Sequence, residues 1–382
     1  MLPYLGVFLA TAGAVLLITP IVRRVATRLG AIDRPSDRKI HPKPTPTLGG
    51  IGLLAGVAAG MGVAYLTPRF RPLFDQSLEL QGTLLAGLAI TIIGVVDDVR
   101  CLSAPAKVAG QVLAAGFLVL NGVALLFFWF PTQGIISLGP DLAVPLTVAW
   151  VLVMVNAINL IDGLDGLAAG IVVIAAAAFF VWVIEAPPTF GAATAALLSA
   201  TAAGAAIGFL PYNFYPARIF MGDSGAMLLG LLLAAATISG VGRTTQPSGG
   251  AVAAFSIPVL IPAIVLAVPL MDVALAVIRR MRRGRPVFAP DKEHIHHQLR
   301  EIGHTHRRTV VIMYYWSILL AGSALSIAFI DGRAVVGAIV GSALVLIGAT
   351  FVPRRIREWR RVRRATPATP STVEAGVQSK SL

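Results

Sequence analysis

The sequence predicts an all-α protein that crosses a membrane about eleven times. Its mean hydropathy is +0.81, and only 13% of its residues are charged, whereas soluble domains carry about 25%. Apolar runs long enough to cross a bilayer recur along the chain, and the segments between them alternate sharply in charge. The single cysteine, Cys101, excludes a disulfide framework within the chain.

The predicted spans are the apolar runs between polar or Gly/Pro-rich segments. In order they cover residues 3–22, 48–66, 82–97, 105–122, 142–160, 166–184, 190–210, 224–240, 252–278, 309–329 and 334–352. Gly134, Gly139 and Pro140 punctuate residues 131–145, which predicts a short external β-hairpin. Residues 1–352 are therefore expected to form one membrane domain, followed by a basic and then disordered cytoplasmic tail over residues 353–382.

Positive charge lies mostly on one side of the predicted bundle. Of the 31 Lys and Arg residues, all but Arg69, Arg71, Arg243 and Arg333 fall in or beside the loops after odd-numbered spans, or in the tail. Because cytoplasmic loops are enriched in Lys and Arg, the N-terminus is predicted outside and the C-terminus in the cytoplasm. The net charge of +13 then reflects topology and anionic lipids, and no nucleic-acid partner is expected.

The acidic residues gather on the same predicted face. Asp97 and Asp98 end the third span, residues 156–166 end the fifth, and Asp223 follows the seventh. Carboxylates that converge there repel one another, and Mg²⁺ suits them because it takes oxygen ligands and leaves room for phosphate and water. Singly, the clusters could be a solvated helix end, a turn and an N-cap. Three such acidic clusters on one predicted face of the bundle favour a functional site.

The loop after the ninth span supplies cationic groups. A basic run precedes His294, His296 and His297. Their spacing does not put three imidazoles on one helical face, and no cysteine joins them. Phosphate contact or proton handling is therefore predicted in preference to zinc binding. No Walker A or Rossmann glycine motif occurs, so ATP or NAD sites of those kinds are not expected.

Together these motifs resemble the polyprenyl-phosphate N-acetylhexosamine-1-phosphate transferase family, which includes the phospho-MurNAc-pentapeptide translocase. The matching pieces, in family order, are residues 44–50, Asp97-Asp98 with Lys107, residues 156–166, residues 220–225 and the His-Ile-His-His segment. The resemblance implies transfer of a sugar-1-phosphate from a UDP-sugar to a polyprenyl phosphate, with release of UMP. It also implies dependence on Mg²⁺, for which Mn²⁺ can substitute.

The resemblance also implies roles for individual residues. Metal binding is implied for Asn159 and Asp223. Substrate binding is implied for Lys107, Asn156, Asp162, Asp165 and Phe220, the last by stacking on uracil. Catalytic roles are implied for Asp97, Asp98, His294, His296 and His297, the two acids serving the acceptor phosphate. Because a phosphate monoester is mostly dianionic at pH 7, direct in-line attack is favoured over a covalent aspartyl intermediate, and both stay open.

The interrupted His-Ile-His-His segment and the eleven spans resemble the GlcNAc-1-phosphate branch of the family. The expected donor is UDP-GlcNAc and the expected acceptor is undecaprenyl phosphate, at the first membrane step of cell-envelope polysaccharide synthesis. Transfer from UDP-MurNAc-pentapeptide is the alternative within the family. A transporter is the alternative from another class, but the predicted spans are largely clear of acids apart from Asp272. A plasma-membrane location, a cytoplasm-facing site, lipid contacts and a homodimer are also expected.

Overall fold

The computed structural model describes residues 1–35, 43–130, 134–185, 191–241, 278–282, 284, 304–330, 336–348 and 350. Over these residues the chain is mainly helical, and eight of the helices described are long and apolar enough to cross a membrane. The predicted all-α polytopic membrane fold is therefore confirmed. Residues 252–277 of the predicted ninth span, with Asp272, lie outside the described residues, as do the three histidines and the tail.

The helices follow the predicted spans closely. In chain order the named helices are α1 (Leu2–Arg28), α2 (Gly49–Leu66), α3 (Arg71–Asp75), α4 (Glu79–Arg100), α5 (Ala104–Leu120), α6 (Pro140–Ile161), α7 (Leu167–Glu185), α8 (Ala192–Asn213), α9 (Gly222–Val241), α10 (His306–Phe329) and α11 (Val336–Gly348). Among them α5 and α11 are shorter apolar helices, and α3 is a single short connection. Residues 278–282 are also helical.

Two pairs of short antiparallel strands complete the described architecture. Strand β1 (Ile32–Asp33) pairs with β2 (Thr45–Pro46), a pairing that the sequence analysis did not predict. Strand β3 (Phe127–Phe130) pairs with β4 (Gly134–Ser137). The predicted range 131–145 is therefore partly wrong, because β3 lies wholly before it and residues 140–145 belong to α6. The external placement of this second pair stays a prediction.

Helix α9 lies at the centre of the bundle. It packs against α2, α4, α6 and α8, and 89% of its spanning window is buried. Its sequence explains this position, because after Asp223 it carries Ala, Gly and Leu on all sides and no charge, as a fully enclosed helix does. Gly230 lies against the α6 backbone at Val155, where the lack of a side chain permits close approach.

The segment that leads into α9 is held between α2 and α4. We call residues 220–225 the α9 entry segment. The amide N–H groups of Gly49 and Gly50 donate to the carbonyl oxygens of Phe220 (3.1 Å) and Met221 (3.0 Å), and the amide of Phe220 donates to Pro46 (2.9 Å). The first loop of the chain therefore packs on this segment, which fixes the start of α9.

Candidate active site

A cavity of about 980 Å³ opens between the ends of α4, α6 and α9 that are predicted to face the cytoplasm. This volume is in the range of small-molecule sites, about 300–1,000 Å³. Its wall includes seven of the residues singled out from the sequence: Asp97, Asp98, Asn159, Asp162, Asp165, Phe220 and Asp223. Three acidic clusters that are far apart in sequence therefore meet in one place.

Three oxygen atoms surround the ammonium group of Lys107. Its Nζ forms ion pairs with Asp97 Oδ2, at 2.9 Å, and with Asp223 Oδ2, and it donates to Asn159 Oδ1 at 3.3 Å. Asn159 Nδ2 donates to Asp223 Oδ1 at 2.7 Å, which orients the amide oxygen of Asn159 toward the same point. The oxygen atoms of Asp97, Asn159 and Asp223 thus form a small cage around one cation, the Lys107 ammonium group, beside the cavity.

The turn between α4 and α5 brings Lys107 to this position. Cys101 adopts a left-handed conformation, with φ of 51°, and its N–H donates to the carbonyl of Asp97 at 2.8 Å. Leu102 N–H donates to Asp97 Oδ1 at 2.7 Å. The chain reverses directly after α4, so that the first turns of α5 run back past Asp97 and place Lys107 beside it.

The neighbouring Asp98 faces a different partner. Its Oδ1 accepts a hydrogen bond from Asp223 N–H at 2.8 Å. Its Oδ2 accepts from Ser224 N–H at 3.3 Å and from Ser224 Oγ at 2.9 Å. Two adjacent acids thus serve two elements: Asp97 contacts the lysine of α5, and Asp98 contacts the start of α9.

Asn156 lies one helical turn before Asn159 on α6, outside the residues that line the cavity. Its Nδ2 donates to Gln111 Oε1 at 2.9 Å, and Gln111 Nε2 donates back to its Oδ1 at 3.3 Å. The pair links α5 to α6 behind Lys107. A direct contact of Asn156 with substrate stays a prediction, whereas its structural contact is with Gln111.

The turn after α6 is joined to the loop before α9. Asp165 Oδ2 accepts from Ala217 N–H at 2.9 Å, and Asn213 Oδ1 accepts from Gly166 N–H at 3.1 Å. Phe220 follows this loop and lies half-buried at the cavity wall. Its stacking on uracil stays a prediction. The predicted positions of His294, His296 and His297 lie outside the described residues.

Sequence reasoning missed two polar residues of this region. Gln111 is fully buried in α5, one turn after Lys107, so the 3.6-residue period puts both on one helical face. Ser224 is also fully buried. A polar side chain inside an apolar span that shares a face with a charged residue is the signal that would have found Gln111. The Gly-Asp-Ser-Gly sequence around Ser224 is typical of an ordinary helix N-cap, so no signal singles this serine out.

The donor set of the cage suits Mg²⁺ better than zinc. Over the residues that the structure describes, no group of three or more His, Cys, Asp or Glu side chains could hold a metal ion. The oxygens that meet at Lys107 come from two carboxylates and one amide. Mg²⁺ in phosphate-handling enzymes is held by one or two carboxylates, with water and substrate phosphate completing its octahedron. Asn159 and Asp223 therefore fit such an ion.

Asp162 is a cavity residue whose carboxyl pKa is strongly shifted by its surroundings. It directly follows the last residue of α6 and lines the cavity. Burial raises the pKa of this carboxyl well above its ordinary value, and repulsion from the carboxylates of Asp223, Asp98 and Asp165 raises it further. The ionised form of Asp162 therefore destabilises the folded protein.

Asp162→Asn is expected to raise the melting temperature by roughly 2 °C at pH 8 and to change it little near pH 4. Between the ordinary carboxyl pKa of about 4 and the raised value, the folded state binds more protons than the unfolded state. Stability therefore falls as pH rises through that window, and Asn removes the loss. Thermal unfolding in detergent would show this, with the exposed Asp141→Asn as control. A difference independent of pH would contradict it.

Comparison with known proteins gives concordant relatives. The sequence pattern of Glycosyl transferase family 4 matches residues 80–241. Decaprenyl-phosphate N-acetylglucosaminephosphotransferase of Mycobacterium tuberculosis is 40% identical over 347 residues, covering 87% of this chain and 84% of the relative. A probable undecaprenyl-phosphate N-acetylglucosaminyl 1-phosphate transferase of Bacillus subtilis is 38% identical, covering 83% of each chain. A phospho-N-acetylmuramoyl-pentapeptide-transferase of Desulforudis audaxviator is 33% identical, covering 85% and 98%.

Proposed function

The chain belongs to glycosyl transferase family 4, and we propose that it transfers N-acetylglucosamine-1-phosphate from UDP-GlcNAc to a polyprenyl phosphate, releasing UMP. The observation that carries this proposal is the oxygen cage of Asp97, Asn159 and Asp223 around one cation at the cavity. The two ionised carboxylates outnumber the one ammonium group. A divalent ion bound by these oxygens would therefore supply the positive charge that a diphosphate needs where a membrane-bound acceptor meets a soluble donor.

Two lines support GlcNAc as the transferred sugar. The relatives that share 40% and 38% of their residues with this chain are named for N-acetylglucosamine, and the pentapeptide transferase shares 33%. The interrupted His-Ile-His-His segment points the same way. Transfer from UDP-MurNAc-pentapeptide is the second candidate, supported by the 85% coverage of this chain by that relative.

In the proposed step an oxygen of the lipid phosphate attacks the phosphorus that carries the sugar. A new P–O bond forms, the bond to the bridging oxygen of the donor breaks, and UMP leaves with its electron pair. Mg²⁺, held by Asn159 and Asp223, would supply charge neutralisation on the diphosphate. Because the acceptor is mostly dianionic at pH 7, the protein gains little by removing its proton.

Lys107 and Asp97 act together in this proposal. The three N–H donors of the Lys107 ammonium group reach Asp97, at 2.9 Å, Asp223 and Asn159. When Mg²⁺ takes the oxygens of Asp223 and Asn159, two of these donors would turn to phosphate oxygens while Asp97 keeps its contact. Positioning and charge stabilisation by such preorganised groups are the main sources of rate in phosphoryl transfer. Asp97 is therefore assigned to orienting the cation that meets phosphate, and not to proton removal.

The proposed reaction is tested with purified protein, Mg²⁺ and either undecaprenyl or decaprenyl phosphate. Each lipid is combined with UDP-GlcNAc or with UDP-MurNAc-pentapeptide, and UMP release is followed. UMP release is expected with UDP-GlcNAc as the donor and not with UDP-MurNAc-pentapeptide. It must stop when EDTA removes the metal. Release only with the pentapeptide donor would replace the proposed sugar, and no release with either donor would refute the proposed function.

The protein is a multi-pass membrane protein, and we propose that it lies in the cytoplasmic membrane with the cavity facing the cytoplasm. Cys101 is exposed, lines the cavity and is the one cysteine of the sequence. A membrane-impermeant maleimide is expected to label it in inverted vesicles but not in intact spheroplasts. Cys101→Ser is the control for specificity. Labelling from outside the spheroplast would reverse the proposed orientation.

The homodimer stays a prediction.

A further inference from the structure

The carboxylate of Asp98 takes up the backbone donors at the start of α9. Helix α9 begins at Gly222, and the first N–H groups of a helix have no partner within the helix. Asp223 N–H and Ser224 N–H both donate to Asp98, at 2.8 and 3.3 Å. A negative group at a helix N-terminus is further favoured by the helix dipole. Asp98 thus acts as an N-cap supplied by another helix.

The backbone around the contact between Asp98 and the start of α9 is closely packed, and three glycines there leave no room for a side chain. Gly222 has φ of 69°, and a Cβ added there would overlap the Asp98 carboxylate. Gly50 and Gly94 lie directly against Ser224, and a Cβ on either would overlap its backbone. Ser224 is fully buried, so water has little access to its N–H and hydroxyl donors. The α9 entry segment is therefore packed tightly against α2 at Gly50 and against α4 at Gly94, directly beside its contact with Asp98.

The capping contact leads directly to the cation cage. Asp98 fixes the backbone nitrogen of Asp223, and the side chain of the same Asp223 supplies two of the contacts in the cage, to Asn159 Nδ2 and to Lys107 Nζ. A shift of this backbone would move the Asp223 carboxylate relative to Asn159. The position of one cage oxygen therefore depends on Asp98, which contributes no oxygen to the cage.

The chemistry of Asp98 also disfavours direct contact with a phosphate. An ionised carboxylate has acceptors only, with about four lone-pair positions, and three hydrogen bonds already reach Asp98. A phosphate oxygen is likewise an anionic acceptor, so the two groups repel each other unless a cation lies between them. The cation of the cage contacts Asp97, and the structure gives Asp98 no contact with it.

We propose that Asp98 is a positioning residue, which holds Asp223 in place for metal binding and does not itself contact the acceptor phosphate. This proposal rests on the proposed function and assigns a division of labour within it. Asp97 orients Lys107 toward phosphate, and Asp98 sets the geometry of Asp223. Two adjacent acids with the same charge thus contribute through different partners.

Asp98→Asn tests this division of labour. The amide keeps one oxygen for Asp223 N–H but turns an NH₂ donor toward the donors of Ser224. We expect the Mn²⁺ dissociation constant, measured by electron paramagnetic resonance without substrates, to rise about tenfold, in the range seen for residues that orient metal ligands. kcat should fall with it, while KM for the polyprenyl phosphate stays within about twofold. An unchanged Mn²⁺ affinity with a raised KM for the lipid would overturn the proposal.

Ser224→Ala tests the same contact with a smaller change. It removes one of the three bonds to Asp98 and keeps the carboxylate, so a rise in the Mn²⁺ dissociation constant of a few fold is expected. If Asp98→Asn fails to fold, Ser224→Ala decides the question alone, and an unchanged Mn²⁺ affinity again overturns the proposal. The double variant should lose less than the product of both effects, because the two residues share one contact.

The two proposals fail in distinguishable ways. If the wild-type protein binds Mn²⁺ but releases no UMP with either donor, the proposed function fails, and the dependence of Mn²⁺ affinity on Asp98 is still measured. If the wild-type protein turns over and Asp98→Asn alters only KM for the lipid phosphate, the positioning role fails and the proposed function stands.

Discussion

Asp223→Asn is expected to reduce turnover by at least about a thousandfold and to abolish Mn²⁺ binding. Asp223 makes two contacts in the oxygen cage, with Asn159 Nδ2 and with Lys107 Nζ. The substitution keeps the size of the side chain but removes its charge and presents an NH₂ donor to one of these partners. Metal-ion stabilisation of a transferring phosphoryl group contributes several kcal/mol, and each 1.36 kcal/mol corresponds to about tenfold in rate.

The experiment follows UMP release at saturating donor and lipid, together with Mn²⁺ titration by electron paramagnetic resonance. Asp75→Asn is a matched control, because Asp75 is an exposed acid paired with Arg71 at 3.5 Å. It lies on α3, just before the N-terminal end of α4, whereas Asp97 lies at the opposite end of α4. It should retain activity near that of the wild-type protein. Activity of Asp223→Asn within tenfold of wild type, or retained Mn²⁺ binding, would remove Asp223 from the metal site.

Lys107→Met is expected to lower kcat by about a hundredfold to a thousandfold, the usual loss when one preorganised donor to a developing anion is removed. Methionine fills much of the same volume without a charge, so packing at the start of α5 is largely kept. The same change should lower the Mg²⁺ concentration needed for half-maximal activity. Lys107 Nζ contacts Asp223 Oδ2 and Asn159 Oδ1, which belong to the two proposed metal ligands. In Lys107→Met a divalent ion no longer competes with the ammonium group for those oxygens.

The prediction is specific because Lys107→Met is expected to impair turnover and, at the same time, to strengthen the response to Mg²⁺. A residue that only stabilised the fold would lower kcat without improving the response to Mg²⁺. Lys43→Met serves as control, because Lys43 is an exposed lysine of the first loop and its removal changes the net charge equally. A weaker response of Lys107→Met to Mg²⁺ would contradict the proposed competition and would make the lysine an aid to metal binding.

The fold was predictable to a large extent because it depends on local properties of the chain. The lengths of the apolar runs located ten of the helices now described, from α1 to α11 with the exception of the short α3. The strand pair β1–β2 was not foreseen. Its two-residue strands carry no alternating pattern, and they pair because the first loop folds back onto the start of α9.

The site was predictable as a set of residues but not as a set of contacts. Asp97, Asn159 and Asp223 were named from motifs, and they do converge on one cation position. Gln111 was missed because a single glutamine within an apolar helix carries no motif. Substrate binding by Asn156 stays a prediction, and its side chain forms hydrogen bonds with Gln111 behind the cage.

The sequence alone determined that this chain crosses a membrane repeatedly and which acids could form a site, because hydropathy and charge are properties of each segment by itself. The tertiary structure decided what each acid does. Successive residues of a helix point about 100° apart, so the adjacent Asp97 and Asp98 face different helices. Only the packing of α4 between α5 and α9 could give one of them a lysine and the other a helix N-terminus.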